Sequence, residues 1–247
     1  MQAAASAQAR LLELQSIDTT IAQLEHRKRS LPEHAEIAQR QQERRRQGEQ
    51  LIAANTVVSD LEGEQAKAET DLEPVRQRLA RDQNRVNDGT VTDPKQLNAL
   101  LDEIQHLKRR IIDLEDAELE VMERLEQATA ERDEVVAART GGEGELRALL
   151  ATRDSQVAEL DAELAAEQAK RSEVGADVPA DLTALYDRIR AKSGGTGAAA
   201  LIRRRCSGCQ LEATGADIVR YRDAAPDEVL RCEECQRILV RTAESGI

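Results

Sequence analysis

Apolar residues recur on an alternating three-and-four spacing on both sides of the stretch Asn87-Asp88-Gly89-Thr90-Val91-Thr92-Asp93-Pro94. Before it lie Leu51, Ala54, Val58, Leu61, Ala68, Leu72, Val75, Leu79 and Val86; after it lie Leu97, Leu100, Ile104, Leu107, Ile111, Leu114, Val121, Leu125 and Ala128. Such spacing puts a narrow apolar seam on one side of a helix, and two seams joined by a turn bury each other as an antiparallel pair. The turn is suitably punctuated. Gly89 suits the left-handed residue past a helix end, Asp93 an N-cap, Pro94 the first helical position and Gln96 the third residue of a capping box. The plainest alternative for this stretch is an ordinary solvated connector.

Composition agrees with a long seam and excludes an ordinary globular core. The 247 residues contain no Phe or Trp and only two tyrosines, Tyr186 and Tyr221, and 33% of the residues are charged. That is the profile of long helices and coiled coils. Helices of roughly 80 residues would give a rod of the order of 120 Å. The first seam, Leu14, Ile17, Ile21, Leu24 and Leu31, meets a break at Ser30-Leu31-Pro32-Glu33, where Ser30 can cap a restarted helix with Glu33 at the box position. Leu146, Leu150, Val157, Leu160 and Leu164 would face it on the return. Pro74 predicts a kink. The polar stretch Gln39–Gln50 would face Asp133–Glu145, which holds Gly141, Gly142 and Gly144; a hinge in mid-stem or a loop is expected there.

Three domains follow: an antiparallel hairpin over 1–174 with its tip near 87–94, a short helix and Gly-rich linker over 175–197, and a small β-rich domain over 198–247. The helix would start at Asp181, and Ser193-Gly194-Gly195-Thr196-Gly197 reads as flexible. In the last segment, 198–205 and 237–242 read as strands, and 217–222 as a helical turn or a strand.

Cys206-Ser207-Gly208-Cys209 and Cys232-Glu233-Glu234-Cys235 carry the chemistry. Two tight CxxC knuckles supply four sulfurs to one tetrahedral ion, so Cys206, Cys209, Cys232 and Cys235 predict a single structural Zn2+ with no open coordination position. Gly208 would permit the first knuckle's turn. The alternatives are a redox dithiol, which lacks any surrounding thioredoxin-type βαβ unit, and a [4Fe–4S] cluster. His26, His34 and His106 are dispersed, and no phosphate loop or nucleophile motif is present, so no enzyme or small-molecule substrate is indicated. No apolar run approaches ~20 residues and Met1–Arg10 lacks a leader's apolar stretch, which predicts a cytoplasmic protein with no membrane contact.

The net charge of −12 argues against a nucleic-acid-coating protein. Its distribution is uneven: Val75–Arg110 holds 8 Lys/Arg against 5 Asp/Glu, and Ile111–Arg171 holds 7 against 17. Arg78, Arg81, Arg85 and Lys95 mark the tip as a candidate contact for an acidic partner. In the last segment Arg203, Arg204 and Arg205 directly precede the first knuckle and are candidate phosphate contacts. The 8 Arg there are matched by 8 Asp/Glu, so a local patch is the most they can form. A solvated, internally paired surface is the plain alternative at both places.

The chain resembles a bacterial family of C4-type zinc-ribbon proteins with a coiled-coil hairpin, formerly a domain of unknown function. The resemblance rests on Thr92-Asp93-Pro94-Lys95-Gln96-Leu97, Leu114-Glu115-Asp116 to Met122-Glu123, Cys206-Ser207-Gly208-Cys209 and Arg231-Cys232-Glu233-Glu234-Cys235-Gln236-Arg237-Ile238-Leu239-Val240. Gln236 stands where relatives often have Gly, which would alter the second knuckle's turn. The family includes flagellar-assembly regulators that bind a messenger RNA and an alternative sigma factor. The resemblance implies a mainly α protein, a long antiparallel coiled-coil helical hairpin followed by a small β-rich zinc ribbon. The functional expectation is a non-enzymatic regulatory adaptor that binds nucleic acid through the ribbon; the alternative is a scaffold or chaperone-like adaptor with protein partners only.

Overall fold

The computed structural model describes residues 1–247. Helices α1 (Ala5–Arg29), α2 (Pro32–Asn87), α3 (Pro94–Ala176) and α4 (Ala180–Lys192) precede strands β1 (Ala198–Ile202) and β2 (Arg205–Cys206); α5 (Gly215–Asp223), β3 (Leu230–Arg231) and β4 (Ile238–Arg241) complete the chain. The long helices form the hairpin and the strands one sheet of order β2-β1-β4-β3, in which β1 and β4 run parallel and the other pairs antiparallel. The chain divides into two compact units, one of Met1–His34 with Ala151–Ile247 and one of Ala35–Leu150.

In the second unit the seams are buried as their spacing requires. Val58, Leu61 and Ala128 form a cluster with Leu125 against it, and Ile104, Leu107 and Ile111 are buried nearer the turn. At the turn Gly89 has φ 65°, and the Asp93 carboxylate accepts from the Lys95 amide at 2.9 Å. Helix α2 continues across Pro74, two residues beyond the fully buried Leu72. Helix α3 also continues across Gly141–Gly144, so the loop expected there does not form. The reason is a polar layer rather than a missing seam. Arg40 meets Glu145 at 2.8 Å, Arg44 and Arg139 converge on Glu143, and Gly142 lies beneath the Gln47 side chain. The polar stretches do face each other, and three glycines at roughly 1 kcal/mol each are tolerated within a helix of 83 residues.

In the first unit α1 ends where the break was expected, but Ser30 closes α1 instead of opening α2: its amide and Oγ both donate to the His26 carbonyl. Glu33 accepts from Gln156 on α3 at 2.8 Å, in place of a capping box. The N-cap of α4 is Pro179, and Asp181 lies in its first turn. The sheet separates two apolar clusters. Ala198, Ile238 and Val240 pack with Leu11, Leu14 and Ile17 of α1, Leu160 and Leu164 of α3, and Leu182, Tyr186 and Ile189 of α4. Ala199, Leu201 and Leu239, the alternate residues, pack with Ile218, Tyr221, Leu230, Cys206 and Cys232. This is the period-two alternation of a strand covered on both faces.

The segment Ser193–Gly197, expected to be flexible, is tied down. Gln15 on α1 donates to the Gly195 carbonyl at 3.0 Å and accepts from the Gly197 amide at 2.7 Å. Arg237 donates to the carbonyls of Ser193 and Thr196. A Cβ at Gly197 would lie 2.7 Å from the Tyr186 ring, so only glycine fits. The first residues of the chain are also held: Ala3 donates to the Asp227 carbonyl at 2.7 Å and Val229 to that of Met1 at 3.1 Å.

Beside Gln15, Asp18 is 1% exposed and meets Arg171 at 2.6 Å, Arg190 at 3.3 Å and the Tyr186 hydroxyl at 2.7 Å. Burial, followed by the hydrogen bond to Asp18, pushes the tyrosine hydroxyl far above its ordinary range. A raised folded-state value stabilises the fold fully below the unfolded value of about 10 and progressively less above it. Tyr186→Phe should cost about 1–3 kcal/mol at neutral pH, measured by denaturant unfolding. The difference between wild type and variant should shrink as pH rises above about 10. A variant as stable as wild type at pH 7 would mean the hydroxyl contributes nothing.

Candidate metal centre and basic turn

Each cysteine pair sits in a turn that the chain closes in the same way. The Gln210 amide donates to the Cys206 carbonyl and the Gln236 amide to the Cys232 carbonyl, both at 2.8 Å. Both glutamines have positive φ, 64° and 61°, and each side chain returns to its own knuckle, Gln210 to the Ser207 carbonyl and Gln236 to that of Glu233. Gln236 therefore does not alter the turn. It adopts the left-handed conformation glycine would take and offsets the strain with a side-chain hydrogen bond. Gly208 has a different reason from the one expected. A Cβ there would lie 2.8 Å from the Arg237 Cδ, so glycine admits the Arg237 side chain.

The knuckles bring four sulfurs together. Cys206 and Cys235 Sγ are 3.9 Å apart, Cys209 and Cys232 Sγ are 3.8 Å apart, and all four lie within 4.8 Å of one another. A tetrahedral ion with metal–sulfur bonds of about 2.3 Å requires sulfur–sulfur edges of about 3.8 Å. A disulfide would require about 2.05 Å. Burial pushes the Cys206 thiol up and the Cys232 thiol up to about 12. At Cys235 burial acts in the same direction, but hydrogen bonds from Arg237 and from the Cys232 and Cys209 thiols together outweigh it and bring the thiol down to about 7. A metal held by four sulfurs binds them as thiolates and releases their protons.

Helix α5 resolves the ambiguity at 217–222: Thr214 and Asp217 form a reciprocal capping box and start a helix. It seats Tyr221, whose hydroxyl donates to the Arg231 carbonyl at 3.2 Å.

The hairpin and the cysteine-bearing segment each match a known family. The model of the CT398-like coiled coil hairpin domain matches residues 14–194, and that of the C4-type zinc ribbon domain matches residues 205–239. The chain belongs to the CT398-like coiled coil hairpin family. It is 35% identical to the Mycobacterium tuberculosis protein Rv2229c over 241 residues, 98% of each chain. A solved Mycobacterium smegmatis structure superposes with a TM-score of 0.83 at 34% identity, covering 98% of this chain and 100% of that one. Chlamydia trachomatis CT398 superposes at 0.67 with 18% identity, over 96% and 98% of the two chains, and shares the fold. Family and geometry agree on the cofactor: one structural Zn2+ held by Cys206, Cys209, Cys232 and Cys235.

Arg203 and Arg204 form the two-residue turn between β1 and β2, both with positive φ (46° and 65°). Their amides donate to the carbonyls of Glu244 and Ser245 at 2.8 and 2.9 Å, so the last residues of the chain hold the turn. Both side chains are exposed. The other ribbon arginines are engaged: Arg205 with Glu212, Arg220 with Glu233, Arg222 with Asp223, and Arg231, Arg237 and Arg241 with backbone carbonyls. Arg203 and Arg204 have no side-chain partner. At the tip Arg78 pairs with Glu103 at 2.8 Å, and Arg78 and Arg85 flank the buried Asp82; Arg81 and Lys95 have no ion pair.

Sequence reasoning missed Gln15, Asp18, Arg171 and Arg190. The available signal was two polar residues, Gln15 and Asp18, within the apolar seam of α1, and one of only two tyrosines to meet them.

Metal analysis should give one zinc per chain. Gln236→Gly should retain the ion against a chromogenic chelator as wild type does, because glycine adopts the same φ without strain. Gln236→Val should release it faster, since a β-branched residue at positive φ costs roughly 1–3 kcal/mol. Equal release rates for the two variants would separate the backbone conformation from metal retention.

Proposed function

We propose that this protein is a non-enzymatic cytoplasmic adaptor that binds nucleic acid through Arg203, Arg204 and Arg205 of its zinc ribbon, in a regulatory role. The observation that carries the reading is the basic turn. Two exposed arginines without internal partners sit on a backbone that disfavours any residue but glycine, asparagine or aspartate. Strain of this kind persists where surrounding structure enforces it, and here Glu244 and Ser245 do so. Uncompensated guanidinium groups suit phosphate oxygens. Base stacking is not part of the reading, because Tyr221 is 1% exposed. Contacts are therefore to the phosphate backbone, which positions a nucleic acid without reading its bases.

A closed four-sulfur site leaves no coordination position for a substrate, which supports a structural metal and a non-enzymatic role. Zinc thiolates suit a reducing compartment, and no helix is long and apolar enough to cross a membrane. Arg81 and Lys95 keep the tip open as a second contact for an acidic partner.

The test is fluorescence anisotropy with a labelled RNA oligonucleotide and a DNA duplex across a salt titration. Replacing Arg203, Arg204 and Arg205 with Ala should weaken binding and flatten the log–log salt slope by roughly 0.7–0.9 per lost contact. No binding by the wild-type protein at low salt would leave a protein-only scaffold as the reading.

A further inference from the structure

Between Ile111 and Glu123, helix α3 holds six Asp/Glu and no Lys/Arg. The same stretch exposes large apolar side chains. Ile112 is 55% exposed, Leu119 56% and Met122 43%, although Ile111 beside them is buried in the seam. Residues 112 and 119 are two helical turns apart and 122 follows by three, so these side chains form a strip along one flank of the helix, next to the seam. At its centre Leu119, Met122 and Leu125 line an open groove with Gln65 of α2.

Apart from the half-buried Glu118, the carboxylates around this strip divide into two sets. Glu115 is paired with Arg76 and, across the groove, Glu64 with Arg124. Asp113, Asp116, Glu120, Glu123 and Glu126 are exposed and form no ion pair with the chain's own cations. An apolar strip bordered by unpaired negative charge selects what can cover it. A nucleic acid or an anionic lipid surface is repelled. A second copy laid strip to strip brings like charges together, which opposes association.

We propose that this flank of α3 is a docking surface for a basic amphipathic helix of a partner protein. The partner's apolar face lies on Ile112, Leu119 and Met122 and its lysines or arginines reach the five free carboxylates. This is the helix-in-groove mode of recognition, and its charge preference is opposite to that of the ribbon turn. It does not depend on the ribbon binding nucleic acid.

The probe is a fluorescein-labelled synthetic peptide of about 18 residues, five helical turns, with leucines at helical spacing and lysines elsewhere. Its anisotropy is measured with the full-length protein. Wild type should bind it, and a peptide with glutamates in place of the lysines should not bind. Leu119→Ser with Met122→Ser should weaken binding at least about tenfold, since burying each side chain contributes about 1.5–3 kcal/mol and tenfold corresponds to about 1.4 kcal/mol. Glu120→Lys with Glu123→Lys should weaken it comparably, and Ile52→Ser, at a still more exposed apolar position on α2, should not. All three replacements are at exposed positions, and circular dichroism confirms unchanged helicity. The proposal is overturned by absent binding to wild type, or by equal binding to the Leu119→Ser/Met122→Ser variant, which would indicate charge attraction alone. It is also overturned if sedimentation shows a wild-type dimer that the serine variant makes monomeric, because a second copy would then cover the strip.

Discussion

Tyr186 is fully buried with its hydroxyl 2.7 Å from the Asp18 carboxylate, and Gln15, one turn earlier on α1, holds the Gly197 amide at the same distance. These contacts fix α4 against α1 and, through Gly197, place the first residue of β1. The ribbon is consequently not a separate bead beyond a linker. Its sheet has α1, α3 and α4 packed on one face and the knuckles with α5 on the other. The two halves of the first unit share the sheet, whose alternate residues enter the two clusters. β1 and β4 lie between the knuckles and the helices, so zinc held by the knuckles would act on a sheet that also completes the helical core.

Backbone strain is concentrated at four non-glycine residues, Arg203, Arg204, Gln210 and Gln236. Two of them follow the knuckles, where each glutamine side chain returns a hydrogen bond to its own turn. The other two make the basic turn, where the Glu244 and Ser245 carbonyls compensate. The glutamines spend their side chains on the fold, while the arginines leave theirs free. That difference is what the proposed phosphate contact at the turn rests on. On the α3 flank the groups left without partners have the opposite sign: carboxylates there, guanidinium groups at the turn.

Much of the fold was legible because coiled-coil seams and CxxC knuckles are local signals. Val58, Leu61 and Ala128 are buried where the spacing put them, and the tip turns at Gly89. The Gly141–Gly144 stretch was misjudged in part because propensity was weighed without the cross-hairpin pairs Arg40–Glu145 and Arg44–Glu143, which no single-strand pattern reveals. The Ser193–Gly197 segment reads as flexible by composition and is fixed by tertiary partners, Gln15 on α1 and Arg237 next to β4. The strand-like bridge of Gln2 to Glu228 left no trace in a terminus of alanines and glutamines. The four zinc ligands were legible from spacing alone; Asp18 and its two arginines were not, because their proximity is purely tertiary.

The shared core is tested most directly by hydrogen exchange on the zinc-loaded protein and on the same sample after chelation, followed segment by segment. If the ribbon and the base of the hairpin fold as one unit, removing zinc raises exchange in β1 and β4 and also in α4 and the first half of α1. Exchange in the seam around Val58, Leu61 and Ala128 stays unchanged. Rapid exchange confined to residues 198–247, with α1 and α4 as protected as before, would contradict it and make the ribbon an independent domain.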